Sequence, residues 1–286
     1  MNLSNPSELK GIIGKHKFSF SKSLGQNFLI DENVLEKIVS ASEVDSETCA
    51  LEIGPGAGVL TRELAKRSKK TVAVEIDKKL IPLLAETLSD FDNVKIINKD
   101  IMKTDLKKLF EEEFENSKIA VVANLPYYIT TPVIMKLLEA ETAISSITVM
   151  VQKEVAERMA ASPGGREYGA LSVAVQFYSV PKIITRAEPS CFIPQPKVAS
   201  SVIKLELSGK PRVSVKDRAA FFKTVKSAFG QRRKTLVNAL SKSPYFSLEK
   251  EKAAEALRKL GFDENIRGEK LSLEDFARLS DLICTE

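Results

Sequence analysis

The sequence contains a single histidine, His16, and only three cysteines among its 286 residues. One histidine makes a histidine-centred catalytic triad or a multi-histidine metal site implausible, so we expect neither, and no metal. The cysteines Cys49, Cys191 and Cys284 are odd in number and show no paired spacing, which argues against a disulfide framework and a zinc site. No uncharged hydrophobic run reaches the length of a membrane span, and the first ten residues are polar. We therefore expect a cytoplasmic protein that makes no contact with membranes.

The composition is typical of a soluble globular protein with more than one domain. Hydrophobic residues make up 43% and charged residues 28% of the chain, and 286 residues exceed the usual length of a single domain. The segment 208–211, Ser-Gly-Lys-Pro, separates mixed strand and helix patterns from a part that reads as helical throughout. We predict a first domain of residues 1–209, with a basic arm at 1–30, and a helical second domain of residues 210–286.

Short apolar segments alternate with amphipathic segments through the first domain. The predicted strands are 49–53, 71–75, 94–98, 119–123, 147–151, 182–186 and 200–207. Apolar strands joined by helices predict right-handed crossovers and a mostly parallel sheet covered on both faces. The expected fold class is α/β, a Rossmann-like doubly wound, seven-stranded domain followed by a small all-helical domain. The nearly continuous apolar run 171–178 could be either strand or helix by its period alone.

Basic side chains are concentrated between residues 210 and 242, where Asp217 is the one acid. The ten basic residues are Lys210, Arg212, Lys216, Arg218, Lys223, Lys226, Arg232, Arg233, Lys234 and Lys242. A second basic cluster occupies the N-terminal arm: Lys10, Lys15, Lys17 and Lys22. Such a local excess is typical of a surface that binds a polyanion, although a solvated face that keeps the protein soluble is the alternative. We predict a nucleic-acid partner contacted by Lys22, Lys223, Arg232, Arg233 and Lys234, the last three at the start of a helix.

The segment 51–58, Leu-Glu-Ile-Gly-Pro-Gly-Ala-Gly, joins the first strand to its helix. Glycines at alternate positions allow a ligand to approach the backbone closely. The dinucleotide-binding fingerprint requires a glycine where Val59 stands, and no Lys-Ser or Lys-Thr pair follows to complete a phosphate-binding P-loop. The pattern favours a nucleoside ligand without a pyrophosphate, such as S-adenosylmethionine. A tight turn that binds nothing is the alternative.

Acidic residues follow the next two strands. Glu75 ends the second strand, where its carboxylate can accept two hydrogen bonds from a ribose diol, and Asp100 follows the third, where it can accept one from the cofactor's adenine amine. Ligands of doubly wound folds bind outside the carboxyl ends of the strands. Either acid alone would more often be a surface cap, but together with the glycine loop they predict a nucleoside pocket.

The tetrad Asn-Leu-Pro-Tyr at 124–127 follows the fourth strand. The Asn124 side-chain oxygen and the Leu125 carbonyl can accept the two hydrogens of an adenine amine, after Pro126 has turned the backbone. Tyr127 can stack on the base, a contact worth roughly 1 to 3 kcal/mol. In-line attack on a sulfonium methyl needs alignment more than acid or base catalysis, which agrees with the scarcity of histidine. A strand followed by a proline turn, with Tyr127 as packing, is the alternative.

The loop 191–198, Cys-Phe-Ile-Pro-Gln-Pro-Lys-Val, is stiffened by two prolines. Phe192 can cover the other face of the target base, and a plain structural loop is the alternative.

With these motifs the chain resembles the KsgA-type small-subunit ribosomal RNA adenine dimethyltransferases. The matching stretches are 26–29, the glycine loop, Glu75, Asp100, 124–129, 192–198 and 232–234. The resemblance implies a methyltransferase domain that transfers methyl groups from S-adenosylmethionine to N6 of two adjacent adenosines near the 3′ end of 16S rRNA, giving N6,N6-dimethyladenosine. It also implies a monomer that acts on the immature 30S subunit late in its assembly.

The resemblance further implies roles for individual residues. Cofactor contacts are expected from Asn27, Leu29, Gly54, Gly56, Glu75, Ile76, Asp100, Ile101 and Asn124. Catalytic contacts are expected from Asn124, Leu125, Pro126, Tyr127 and Phe192. The run 171–178 is assigned to a helix.

Two other functions remain open at this point. A related large-subunit dimethylase that confers macrolide resistance is disfavoured by the loop 192–198 and by the long basic helical part. A non-enzymatic RNA-binding or transcription factor on the same scaffold is disfavoured by the intact pocket motifs.

Overall fold

The computed structural model describes residues 1–21, 23–115, 117–140, 142–245 and 248–283. The chain divides into two compact units. The first comprises Met1–Ala156 and Val180–Gly209, and the second Glu157–Ser179 and Lys210–Glu286. One division falls after residue 209, as in the predicted domains, but residues 157–179, which we expected in the first domain, belong to the second unit.

The strands are β1 (Phe28–Leu29), β2 (Thr48–Ile53), β3 (Lys70–Glu75), β4 (Val94–Asn98), β5 (Lys118–Asn124), β6 (Ile144–Gln152), β7 (Ser179–Ala187), β8 (Phe192–Ile193) and β9 (Ser200–Leu207). The helices are α1 (Pro6–Lys15), α2 (Glu32–Ser42), α3 (Val59–Ala65), α4 (Ile81–Thr87), α5 (Leu106–Phe114), α6 (Thr130–Glu139), α7 (Lys153–Ala160), α8 (Ala170–Tyr178), α9 (Arg218–Gly230), α10 (Leu236–Ser241), α11 (Lys250–Lys259) and α12 (Leu273–Ile283).

Seven strands form one sheet in the order β4-β3-β2-β5-β6-β9-β7. Strands β2 to β6 pair in parallel, and β9 is antiparallel to β6. Every residue of β2 is buried, as expected of a parallel strand covered on both faces. The predicted α/β doubly wound fold is confirmed. The strand order reverses between β2 and β5, and a doubly wound sheet binds its ligands at such a point.

The N-terminal arm contains a helix that the sequence pattern did not predict. Helix α1 begins after Asn5, whose side chain accepts hydrogen bonds from the N–H groups of Ser7 and Glu8. Leu9 and Ile12 are its buried residues, and two apolar positions are too few to produce a clear period. Helix α1 therefore belongs to the first unit and contributes these two side chains to its hydrophobic core.

The arm continues as an aromatic cluster. The ring centroid of Phe28 lies 6.0 Å from that of Phe18 and 5.0 Å from that of Phe20. Strand β1 then pairs antiparallel with β8, so that Leu29 lies opposite Phe192 and Phe28 opposite Ile193. The arm and the proline-rich loop are thus joined as one two-stranded sheet.

The apolar run 171–178 forms helix α8, as the resemblance implied. The ring of Phe177 lies 4.8 Å from that of Phe221 and 5.2 Å from that of Phe222, centroid to centroid. This packing explains why the segment belongs to the second unit. It also explains why almost every residue in it is apolar.

The basic stretch 232–234 does not start a helix, contrary to our prediction. Helix α9 ends at Gly230, and α10 begins at Leu236 after Thr235, whose hydroxyl accepts a hydrogen bond from the N–H of Asn238. Threonine is a better N-cap than arginine because its side-chain oxygen can satisfy a free N–H of the first turn. The three cations therefore lie in the turn between the two helices.

Candidate active site

A cleft in the first unit opens at the carboxyl ends of the parallel strands. All the residues predicted to contact the cofactor or the target base line it: Asn27, Leu29, Gly54, Gly56, Glu75, Ile76, Asp100, Ile101, Asn124, Leu125, Pro126, Tyr127 and Phe192. Each comes from the arm, from the last residue of a strand or the segment after it, or from the proline-rich loop. The fold thus brings together residues that are far apart in the sequence.

The glycine loop has a backbone that other residues rarely adopt. Gly54 and Gly56 have φ angles of +72° and +58°. A Cβ atom on Gly54 would meet no atom within 4 Å, whereas one on Gly56 would lie 2.8 Å from Cε1 of Phe28. Gly54 thus leaves space for a ligand, and Gly56 leaves space for the aromatic ring of the arm.

Glu52 is a functional candidate to which the sequence analysis gave no role. Its side chain lines the cleft at 1% exposure, and its Oε2 atom has no hydrogen-bond partner among the residues that the structure describes. Burial raises the pKa of this carboxyl to about 8, and the neighbouring charge of Glu75 contributes to the rise. A buried, unpartnered acceptor at the base of a cleft is suited to a ligand that carries a hydrogen-bond donor or a positive charge.

Glu75 is held in place at the end of β3. Its Oε1 accepts the N–H of Asp77 at 2.7 Å, and its backbone carbonyl accepts from Nδ2 of Asn98 at 2.7 Å. Burial raises the pKa of this carboxyl as well. The arrangement fixes an acceptor in the cleft beside the glycine loop, as a ribose-binding carboxylate requires.

Asp100 lines the same cleft and also caps the turn that follows β4. Its Oδ1 accepts the N–H of Met102 at 2.9 Å. The two interpretations considered for this residue, a surface cap and a ligand contact, are thus compatible.

Asn124 is oriented by the arm. Its Nδ2 donates a hydrogen bond to the backbone carbonyl of Asn27 at 2.9 Å. Because a carbonyl can only accept, the amide nitrogen must face Asn27, and the side-chain oxygen is turned away from it. The next residue, Leu125, is fixed by its N–H, which donates to the carbonyl of Met150.

Tyr127 and Phe192 are held by different contacts. The hydroxyl of Tyr127 lies 2.8 Å from Oγ of Ser200, and burial raises the pKa of that hydroxyl. Phe192 is 1% exposed and is held opposite Leu29 in the two-stranded sheet. The aromatic residue expected to cover the target base is therefore connected to the part of the arm that lines the cofactor side of the cleft.

None of the described residues that we predicted to contact RNA lines the cleft. Lys22 lies outside the described residues, as does Cys284. Lys223, Arg233 and Lys234 are exposed in the second unit. Arg232 has structural contacts as well, because its Nη2 donates to the carbonyl of Arg166 at 2.8 Å and to that of Tyr168 at 3.1 Å.

Two features are absent from the described residues. No three histidine, cysteine, aspartate or glutamate side chains in this part of the chain come together as a possible metal site. None of the helices within the described ranges has the length and apolar character needed to cross a membrane.

The chain is similar to known proteins along nearly its whole length. The family model described as ribosomal RNA adenine dimethylase matches residues 17–284. The ribosomal RNA small subunit methyltransferase A of Alkaliphilus oremlandii is 53% identical over 279 residues, which cover 98% of this chain and 97% of the relative.

Two solved structures are similar to the whole fold. A dimethyladenosine transferase from Plasmodium falciparum superposes with a TM-score of 0.76 at 25% identity, covering 88% of this chain and 95% of the other. The 23S rRNA methyltransferase ErmE superposes with a TM-score of 0.68 at 26% identity, covering 90% of this chain and 99% of the other. The family model spans most of the sequence and a relative is more than half identical throughout, so this chain belongs to the ribosomal RNA adenine dimethylase family.

Proposed function

We propose that this protein uses S-adenosylmethionine to dimethylate N6 of adenosines in the RNA of the small ribosomal subunit. The observation that carries the proposal is the orientation of Asn124, whose side-chain oxygen is turned away from Asn27 in the same cleft as the glycine loop and Glu75. Membership of the adenine dimethylase family and the name of the 53% identical relative support the same activity.

The cleft suits the cofactor in its shape and in its chemistry. Gly54 leaves open space beside the backbone, Glu75 offers a fixed acceptor to a ribose, and Glu52 offers an unpartnered acceptor. Asp100 and Ile101 would hold the adenine, while Asn27 and Leu29 would cover the cofactor from the arm. S-adenosylmethionine, when bound, supplies an electrophilic methyl group on a positively charged sulfur.

The chain's own residues would prepare the nucleophile. The nitrogen lone pair of an adenine amine is delocalised into the ring and is therefore a weak nucleophile. The side-chain oxygen of Asn124 and the carbonyl of Leu125 would accept the two amine hydrogens and favour a pyramidal nitrogen. Tyr127 would stack on the base, with its hydroxyl held by Ser200. Alignment of this kind lowers the barrier without a histidine base.

The finer details also belong to the proposal. The targets would be two adjacent adenosines near the 3′ end of 16S rRNA, modified in the immature 30S subunit by a monomer in the cytoplasm, where that subunit assembles. The exposed cations of the second unit, Lys223, Arg233 and Lys234, would contact RNA phosphates.

Methylation of the large subunit is the second candidate, since ErmE, a 23S rRNA methyltransferase, has a similar fold. The 53% identity to a small-subunit methyltransferase, against 26% to ErmE, favours the small subunit.

The test is transfer of labelled methyl groups to purified ribosomal particles that lack the modification. We expect N6,N6-dimethyladenosine in 16S rRNA when 30S particles are supplied, and none in 23S rRNA when 50S particles are supplied. Label in 23S rRNA would establish the second candidate. Binding of S-adenosylmethionine without any transfer would indicate a non-enzymatic RNA-binding protein.

A further inference from the structure

Gln26 connects the N-terminal arm to the segment that follows β3. Its Oε1 accepts the backbone N–H of Ser21 at 2.8 Å, and its Nε2 donates to Oδ2 of Asp77 at 2.9 Å. The side-chain amide therefore uses its acceptor within the arm and its donor on a carboxylate outside it. The sequence motif 26–29 suggested a role for Asn27 and Leu29 but none for Gln26.

Asp77 forms hydrogen bonds through both oxygens of its carboxylate and through its backbone N–H. Its Oδ2 accepts from Gln26, its Oδ1 accepts the N–H of Lys79 at 3.0 Å, and its own N–H donates to Oε1 of Glu75 at 2.7 Å. Gln26, Asp77 and Glu75 thus form a continuous hydrogen-bonded chain from the arm to the carboxylate in the cleft. We call it the Gln26–Asp77–Glu75 chain.

We propose that Gln26 is a positioning residue that holds the Glu75 carboxylate in its ligand-binding orientation through Asp77. The inference rests on the proposed function, because it takes the cofactor's nucleoside as the ligand of Glu75. Removal of the Gln26 donor leaves one carboxylate oxygen of Asp77 without its partner. Asp77 is then held by the N–H groups of Lys79 and Leu80 in its own turn but no longer by the arm, so its N–H can shift relative to Glu75. Gln26 also lines the cleft, and its effect on the ligand would pass through Asp77 and Glu75.

A hydrogen bond to a charged acceptor is stronger than one between neutral groups, and the Gln26–Asp77 bond is of this kind. The neighbouring Asn27 orients Asn124 through its carbonyl. Two consecutive arm residues would therefore position two sides of the site. Gln26 would position the carboxylate of Glu75, and Asn27 would orient the amide of Asn124.

The experiment measures the affinity of the full chain for S-adenosylhomocysteine by calorimetry. Gln26→Ala is expected to weaken binding about tenfold, as removal of a charge-assisted hydrogen bond predicts. Ser7→Ala is the control, since Ser7 is an exposed arm residue that makes no contact with Gln26, Asp77 or Glu75, and the affinity of this variant is expected to stay within about twofold of wild type. Thermal unfolding of each variant checks that it is folded.

Gln26→Glu separates a role through Asp77 from simple packing. This change keeps the size and the acceptor of residue 26 but places two carboxylates in contact, and such a pair binds a shared proton with a strongly raised pKa. At pH 8 we expect binding about tenfold weaker than wild type at the same pH, because the donor is absent. At pH 5.5 the shared proton supplies a hydrogen-bond donor again. The affinity should then return to within about threefold of wild type at the same pH.

Wild-type affinity in Gln26→Ala, or equal weakening of Gln26→Glu at both pH values, would overturn the inference and leave the proposed function intact. Failure of the wild-type chain itself to bind S-adenosylhomocysteine would overturn both.

Discussion

The side-chain amide of Asn124 and the backbone carbonyl of Asn27 are joined by a 2.9 Å hydrogen bond across 97 residues of sequence. This bond determines which atom of the amide remains for a substrate. A carbonyl oxygen repels the amide oxygen, so the reversed orientation of Asn124 would cost a hydrogen bond and place two acceptors together. The arm thus contributes to the target side of the cleft without supplying a reactive group.

Asn124→Ala is expected to leave the affinity for S-adenosylhomocysteine within about tenfold of wild type while removing most methyl transfer, because the amide acts mainly in the transition state. Calorimetry and single-turnover transfer to 30S particles measure the two quantities separately. Asn98→Ala is the matched control, since that amide donates to the carbonyl of Glu75 on the cofactor side. We expect it to affect affinity more than the rate of transfer. Equal single-turnover rates for wild type and Asn124→Ala would refute the catalytic role of Asn124.

Glu52→Gln is expected to change how stability depends on pH. The pKa of Glu52 is raised from 4.5 to about 8 by burial, so the folded state binds its proton more tightly than the unfolded state. This carboxyl's contribution to stability is therefore largest below pH 4.5 and declines as the pH rises toward 8. Glutamine cannot ionise, so the variant should lose this decline. Its gain in stability relative to wild type should grow from roughly 1 kcal/mol at pH 5 to roughly 4 kcal/mol at pH 8.

Urea unfolding at pH 5, 6, 7 and 8 measures the effect, with Glu47→Gln as the control. Glu47 is an exposed residue just before the strand that carries Glu52, and its replacement should leave the wild-type pH profile unchanged. Parallel profiles for wild type and Glu52→Gln would show that the buried carboxyl does not titrate in this range.

Gly56→Ala is expected to destabilise the first unit more than Gly54→Ala. Both backbones have positive φ, so both substitutions introduce strain. Only the new Cβ at position 56 would also lie 2.8 Å from the Phe28 ring, which adds an overpacking cost of about 1 to 3 kcal/mol. The free energies of unfolding in urea provide the comparison. Equal decreases would mean that the arm can move away from the glycine loop at no cost.

The double change Arg233→Gln and Lys234→Gln is expected to weaken RNA binding and to reduce its salt dependence. Each phosphate that the variant no longer neutralises should lower the slope of log affinity against log salt concentration by about 0.7 to 0.9. Lys250→Gln, also an exposed cation of the second unit, is the control and should leave the slope unchanged. If the slope of log affinity against log salt concentration is the same in the double variant as in wild type, Arg233 and Lys234 face solvent and do not contact RNA.

Arg232→Gln has a different expected result. It should lower the thermal unfolding temperature, because the guanidinium donates to the carbonyls of Arg166 and Tyr168. A change in salt slope at unchanged stability would instead assign Arg232 to the RNA.

The sequence predicted best the parts of the site that depend on strand order. Once the pattern indicated a parallel sheet, Glu75, Asp100 and Asn124 had to lie at the same edge, because each ends or follows a strand. The cleft contains all three. Their proximity is a consequence of topology, so it could be predicted without any knowledge of individual contacts.

The sequence predicted poorly the features that depend on distant contacts. Gln26 is a polar residue in a loop until the fold brings Asp77 within 2.9 Å of it. In the sequence, Glu52 is only one residue of a strand pattern. The structure shows that it is buried and that its Oε2 has no hydrogen-bond partner among the described residues. The period of helix α8 was ambiguous for the same reason, since the aromatic rings that pack against its Phe177 come from Phe221 and Phe222 of α9.

The pairing of β1 with β8 has a consequence for the order in which the protein can be built. Residues 28–29 leave the ribosome early in synthesis, but their hydrogen-bonding partners at 192–193 follow only after most of the chain has been translated. Until then the arm has no strand to pair with, and Leu29 cannot lie opposite Phe192. The cleft of a nascent chain therefore stays incomplete until the last third of the polypeptide begins to emerge.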